Sequence, residues 1–391
     1  MKKILILGAG IYQVPLIQKA RELDLYSVVA SIPGNHPGFG FADRIAYVDT
    51  TDYKKVLELA QKEQVDGICT AGTDVAIISI GYVCERLGLP GISYEAACIV
   101  SDKARMKDAF FKGGVRTARY YKADTLDACR KAFDALDKPV LIKATDSSGS
   151  RGISVISSED GLEQAYALAQ SVSRQKAVVV EEFIEGEEFG AQAFVENGQV
   201  QFILPHGDYV FKGDTGVPVG HFVPYALEHG VMEDCRDQMT RAIQSAGLCT
   251  CAINADFILK DDKVYVLEIG ARSGATCLAE LTSIYYGIDY YAQIIKAALG
   301  EKTDFTPREN MPNASMLLYS GKSGIIKSIQ NDNPADARIA QIRFDYGVGD
   351  RVRAFRVGPD RIGHVITRAE TLDEAVTMLH AALSNIYVEV Q

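Results

Sequence analysis

No stretch of this chain stays apolar for anything near the ~20 consecutive residues a helix needs to cross a bilayer, so no membrane partner is expected. Nor is there an excess of positive charge. The 391 residues carry 41 Lys and Arg against 51 Asp and Glu, a formal net charge of −10. That balance argues against nucleic acid, whose binding relies on cationic side chains neutralising phosphates. An anionic ligand must therefore be met by a local group of bases. Paired cysteines are missing too. The eight cysteines are scattered, and the close pair Cys249 and Cys251 has no second pair to complete a zinc site. They read as reduced thiols of a cytoplasmic protein. The opening Met1-Lys2-Lys3-Ile4-Leu5-Ile6-Leu7-Gly8 stops being apolar at Gly8 with no small-residue cleavage pattern behind it, so it reads as a first strand rather than a leader.

What the chain does have is ordinary globular composition, 47% hydrophobic and 24% charged, over a length that suits two or three domains. From Met1 to about Pro90 strands and helices alternate, which predicts a small doubly wound sheet over residues 1–95. Gly8-Ala9-Gly10-Ile11-Tyr12-Gln13 lies where a dinucleotide fingerprint would lie. Gln13 replaces the third glycine, and the next strand ends in Ala30-Ser31-Ile32 with no acid for a ribose. A tight turn fits better than a nicotinamide site.

Residues 96–302 predict a second, larger unit. Ser101 is expected to cap a helix through Met106 and Phe110. A compact αβ segment over about 115–180 contains the strand Val140-Leu141-Ile142-Lys143 and, after it, Ala144-Thr145-Asp146-Ser147-Ser148-Gly149-Ser150-Arg151-Gly152-Ile153. A lysine at the end of an apolar strand must snorkel or find an anion. A loop of Ser and Gly lets backbone N–H groups approach phosphate oxygens, although such clusters are also ordinary loop punctuation. Further on, His206-Gly207-Asp208-Tyr209 and Phe211-Lys212-Gly213-Asp214-Thr215-Gly216 read as a polar loop. Two strands follow, Ala252 to Leu259 and Val264 to Arg272, turned at Asp261-Asp262. Asp256 and Glu268 on them could share one face and a Mg²⁺ ion, or simply be solvated acids of an edge hairpin. Residues 303–391 predict a small α+β unit whose last helix is capped by Thr371. Gly321-Lys322-Ser323 is not a P-loop, because Met316 stands where that motif needs its first glycine.

Taken in order, these segments resemble the ATP-grasp superfamily, in particular its carbamoyl-phosphate-synthetase-like and L-amino-acid-ligase branch. The resemblance covers nearly the whole chain. It implies an N-terminal doubly wound parallel sheet, a central two-lobed ATP-grasp domain and a C-terminal α+β domain, an α/β and α+β protein. Lys103 and Lys143 would contact nucleotide phosphates, with Ser148, Gly149, Ser150 and Gly152 in the loop closing over them. Glu181, Phe183 and Ile184 would form the adenine hinge, and Glu188 would hold the ribose. Asp256 and Glu268 would bind Mg²⁺ or Mn²⁺. Arg272, with Lys143, would stabilise the transferred group, and His206, Lys212 and Ser273 would face substrate. The implied reaction is ATP-dependent ligation of a small carboxylate, an amino acid among the candidates, to an amine through an acylphosphate. A homodimer is compatible with this reading. One departure stands out. The family often has Glu-x-Asn-x-Arg at the second acid, and this chain has Glu268-Ile269-Gly270-Ala271-Arg272. Either one metal is held more loosely, or water or a neighbouring group such as Asn254 replaces the missing amide, or the protein binds ATP without the family's catalysis.

Overall fold

The computed structural model describes residues 1–147, 152–213 and 216–391. Lys3–Leu7 lies between parallel strands Tyr26–Ser31 and Gly67–Cys69, and Arg44–Tyr47 adds the outer edge. Leu5 and Leu7 enter one apolar cluster, while Ile4 and Ile6 enter another. A strand covered on both faces needs such a continuous apolar run. Gly8, at φ +96°, makes the turn that follows. The Gln13 side chain then accepts from the Gly10 N–H and donates to the Ala71 carbonyl. A Cβ at Gly8 would lie 2.9 Å from that side chain. The notch that a pyrophosphate would use is thus filled by the glutamine.

The cap of the Lys103–Lys112 helix is Asp102, not Ser101. Its Oδ1 accepts from the N–H groups of Ala104 and Arg105 at 2.9 and 3.0 Å. Ser101 instead closes a short helix, Tyr94–Val100, that periodicity alone does not reveal. Beyond it lies a four-stranded antiparallel sheet in the order Tyr120–Ala123, Val178–Glu182, Val140–Ala144, Ser154–Ile156. Helices Leu126–Ala135 and Leu162–Val172 cover the face bearing Val140, Ile142, Val178 and Val180. Alternation leaves Lys143 and Glu181 together on the other face.

The largest sheet has eight strands, ordered Lys263–Gly270, Cys251–Lys260, Glu187–Glu196, Gln199–Val210, Pro218–Val223, Asn313–Leu318, Gly363–Arg368 and Ile339–Phe344. It runs across the expected boundary at residue 303, because Asn313–Leu318 pairs with Pro218–Val223. A further sheet pairs Gly324–Asn331 with Arg351–Val352 and Ile386–Val390. The last helix, Leu372–Ser384, has the expected Thr371 cap, with Glu374 completing a capping box. No helix among the described residues is long and apolar enough to cross a membrane.

Candidate active site

The site forms where the smaller antiparallel sheet faces the Lys103–Lys112 helix and one face of the eight-stranded sheet. Lys103 is the first residue of that helix. Its N–H donates to the Thr145 carbonyl at 2.7 Å, tying the helix to the end of the lysine strand. Its ammonium lies 2.6 Å from Glu268. One turn on, Lys107 projects from the same side of the helix. Lys107 and Lys143 both reach Glu181, at 2.9 and 2.5 Å, and all three side chains are less than 10% exposed. Burial works against the Glu181 charge, yet the two ammoniums outweigh it and hold the carboxyl at about 2. Lys107, buried and beside the Lys143 charge, is pushed below the ordinary lysine value.

Asp256 and Glu268 are direct register partners on adjacent antiparallel strands, so both side chains rise from one face. Burial opposes ionisation of Glu268 as well, but Lys103 and Lys143 prevail and hold it at about 2. Asp256 has no Lys or Arg in salt-bridge contact among the described residues. Burial first, then the Glu268 and Asp208 carboxylates, push it up to about 7. A half-buried acid raised by like charges beside it is a place where a divalent cation fits, and oxygen donors in this pattern suit Mg²⁺.

Gly270 pairs with Asn254, which shares the face of Asp256. The Asn254 amide donates to Asp256 at 3.4 Å, and its oxygen accepts from Gln192 at 2.7 Å. Gln192 in turn accepts from the Gly274 N–H at 2.7 Å. An amide therefore stands across the ladder from the position where the family often has one, with its nitrogen towards Asp256 and its oxygen towards Gln192. Arg272 forms a two-point pair with Asp74, Nε to Oδ1 at 2.8 Å and Nη2 to Oδ2 at 3.0 Å. Asp74 comes from the N-terminal sheet, just past the carboxyl end of Gly67–Cys69, the end where open parallel sheets bind ligands.

The other expected site residues are distributed as follows. Ser148, Gly149 and Ser150 lie outside the described residues, as does Arg151. Gly152, at φ +70°, has no room for a side chain, because a Cβ would sit 2.4 Å from Val172. The Phe183 N–H donates to Pro139, and Phe183 and Ile184 occupy the segment between Val178–Glu182 and Glu187–Glu196. Glu188 is exposed on the face that carries Gly190 and Gln192. Ser273 is fully buried, and its hydroxyl has no partner among the described residues. His206 does not belong to a loop. It sits in the twelve-residue strand Gln199–Val210, bonded to Asp208, which also meets His221. Their ligating atoms lie within 4.8 Å of one another. Lys212 is exposed at the hairpin tip beyond that strand. Asp208 falls in the stretch 206–209 quoted above for its polarity, whereas Lys107, Asp74, Gln192 and His221 carry no assignment there. Of these four, Lys107 alone has a signal in the sequence, its four-residue spacing from Lys103.

Two lobes that bring opposed lysines and a carboxylate pair to one cleft define the ATP-grasp class. This chain belongs to the ATP-grasp family of ATP-dependent ligases that form C–N bonds. Residues 101–276 match the phosphoribosylglycinamide synthetase ATP-grasp (A) domain, and residues 316–391 match the L-amino acid ligase C-terminal domain 2. A solved phosphoribosylglycinamide synthetase from Anaerococcus prevotii is 36% identical, with a TM-score of 0.86 over 100% of both chains. An L-amino acid ligase from Bacillus licheniformis shares the fold at 18% identity, with a TM-score of 0.82 over 100% of this chain and 99% of that one. Alanine–anticapsin ligase of Bacillus subtilis (strain 168) is 24% identical over 257 residues, 60% of this chain and 54% of that protein. The chain thus matches about half the length of that relative.

Proposed function

We propose that this protein activates a small carboxylate, an amino acid, by transferring the γ-phosphoryl of ATP to it, and joins the resulting acyl group to an amine. One observation carries the reading. Lys103, Lys143, Asp256, Glu268 and Arg272, drawn from separate segments, converge with their charges matched except at Asp256. Relatives named as L-amino acid ligase and alanine–anticapsin ligase support an amino acid as one substrate.

In this reading a carboxylate oxygen attacks the γ-phosphorus, ADP leaves, and an amine then attacks the acyl carbon and expels phosphate. Such chemistry rests on positioning and on neutralising charge. Lys143 and Lys103 exchange Glu181 and Glu268 for phosphate oxygens when nucleotide enters. Lys107 stays on Glu181, so that carboxylate is not left bare. Glu188 holds the ribose, and the segment at Phe183 and Ile184 receives the adenine. Asp256 and Glu268 hold Mg²⁺, which when bound neutralises phosphate charge. Asn254 places its amide group beside them, the nitrogen towards Asp256. Arg272, fixed by Asp74, meets the charge that develops on the transferred group.

Lys143→Ala tests the assignment. Acid-dependent ADP release, scanned over amino-acid pairs with mass spectrometry of the products, should disappear while ellipticity and thermal midpoint show a folded protein. Unchanged turnover in the variant would sink it.

A further inference from the structure

The polar face that begins at Glu268 and Asp256 continues across the sheet. Asp256 is the register partner of Gly190, and Gly190 is the partner of His206. Two residues on, Asp208 shares that face, and His221 lies opposite it on the next strand. Gly190 has a specific role in this row. A Cβ there would fall 2.3 Å from the His206 ring, so the glycine lets the imidazole lie over its strand towards the Asp256 side.

Asp208 is the centre of the group. Its Oδ1 meets Nδ1 of His206 at 2.9 Å and Nδ1 of His221 at 2.6 Å. Burial works against its charge, but the two imidazoles prevail and hold the carboxyl far below the usual carboxylate range. An ionised carboxylate can only accept, so both histidines carry their proton on Nδ1. One oxygen is therefore fixed twice. The side chain is still 29% exposed, and no Lys or Arg among the described residues lies in salt-bridge contact with it. On a floor where Lys103, Lys107, Lys143 and Arg272 all have acidic partners, a part-exposed carboxylate fixed by two ring N–H groups has no lysine or arginine of its own.

We propose that Asp208 binds the protonated amino group of the carboxylate substrate, with His206 and His221 as the residues that position it. The inference rests on the ligase reading above and narrows its substrate to acids that carry an ammonium group. It concerns the acid that is phosphorylated rather than the attacking amine, for a chemical reason. The attacking amine must lose a proton to become nucleophilic, and a fixed anion beside it would hold that proton on. The amino group of the acid stays charged throughout, so the same anion binds it without opposing the reaction.

The experiment uses the full chain with ATP and Mg²⁺, and hydroxylamine as a common nucleophile that traps the acylphosphate as a hydroxamate. The common L-amino acids are compared with their desamino analogues. Wild type should prefer the amino acid by about 10- to 100-fold in kcat/KM, the worth of one hydrogen-bonded ion pair. Asp208→Asn should raise the KM for the amino acid by a similar factor, leave the KM for ATP within about twofold, and lose the preference over the desamino acid. Equal use of the two acids by wild type overturns the proposal without needing any variant to fold. So does an unchanged amino-acid KM in a folded Asp208→Asn protein. Stoichiometric zinc in wild type that is absent from Asp208→Asn also overturns it, because a metal then takes the place given to the ammonium. If no acid of either kind yields hydroxamate, the ligase reading fails and the Asp208 assignment falls with it. If hydroxamate forms without an amino-group preference, only the Asp208 assignment fails.

Discussion

Asp74 and Arg272, 198 residues apart, form a two-point ion pair that joins the N-terminal sheet to the catalytic cleft. The pair also accounts for Gly270. A Cβ on that residue would lie 3.0 Å from Asp74 Oδ1 and under 4 Å from the Arg272 guanidinium. A larger side chain would press on the carboxylate that aims the arginine. The departure from the family pattern is therefore part of the site's packing, with the Asn254 amide on the partner strand opposite it.

Asp74→Asn keeps the shape of that residue and removes its charge. If Arg272 acts on the transferred group only when held in place, turnover should fall on the order of 10²-fold. Stability should change by about 1 kcal/mol or less, because the pair is partly solvated, with Asp74 32% exposed. Initial rates of ADP release and the thermal midpoint measure both. A variant that turns over normally would show that Arg272 needs no anchor from the N-terminal domain.

Lys107 makes a different prediction, since its role is to share Glu181 with Lys143. Lys107→Met leaves Glu181 with one cation, which must then also serve ATP. Stability should fall by about 2 kcal/mol, less than the roughly 3–5 kcal/mol of a fully orphaned buried charge. The KM for ATP should rise about tenfold, because Lys143 can no longer leave Glu181 freely. Adding Glu181→Gln should restore part of the lost stability, an interaction that a double-mutant cycle isolates. Strict additivity of the two changes would contradict the shared ion cluster.

Much of this site is legible in the chain because its chemistry sits on regular elements. Lys143 ends an apolar strand, and Asp256 and Glu268 interrupt two others at positions that a tight turn brings opposite one another. What could not be read has two physical causes. His206-Gly207-Asp208-Tyr209 looks like a loop because one face of that strand is polar, and the polar face is the floor of the cleft. Only pairing on both sides, with Glu187–Glu196 and Pro218–Val223, reveals it as strand. Asp74 and Gln192 are invisible for another reason. Their importance lies in partners that chain folding alone brings near, Arg272 in one case and Asn254 with the Gly274 N–H in the other. The misplaced cap is a smaller instance. Ser101 and Asp102 are both good caps, and the choice depends on a helix, Tyr94–Val100, whose C-cap is Ser101.

Asp256 gives the protein a pH dependence with a definite sign. In the folded chain without a cation its carboxyl is pushed up to about 7 by burial and by Glu268, a value that belongs to the interacting pair. In the unfolded chain it returns to about 3.9. Between those values the folded protein holds a proton that the unfolded protein has lost, so stability should fall as pH rises from about 4 towards about 7. If Asp256 and Glu268 hold Mg²⁺ with ADP as proposed, binding needs the ionised pair, and its stabilising effect should run the opposite way, weakening as pH drops below about 7. Thermal midpoints across this range, with and without Mg²⁺ and ADP, separate the two trends from the background set by other groups. Asp256→Asn should flatten the first and abolish most of the second. A variant whose midpoints track wild type at every pH would mean that Asp256 is already ionised in the folded chain and that its cation is not the missing charge of this cleft.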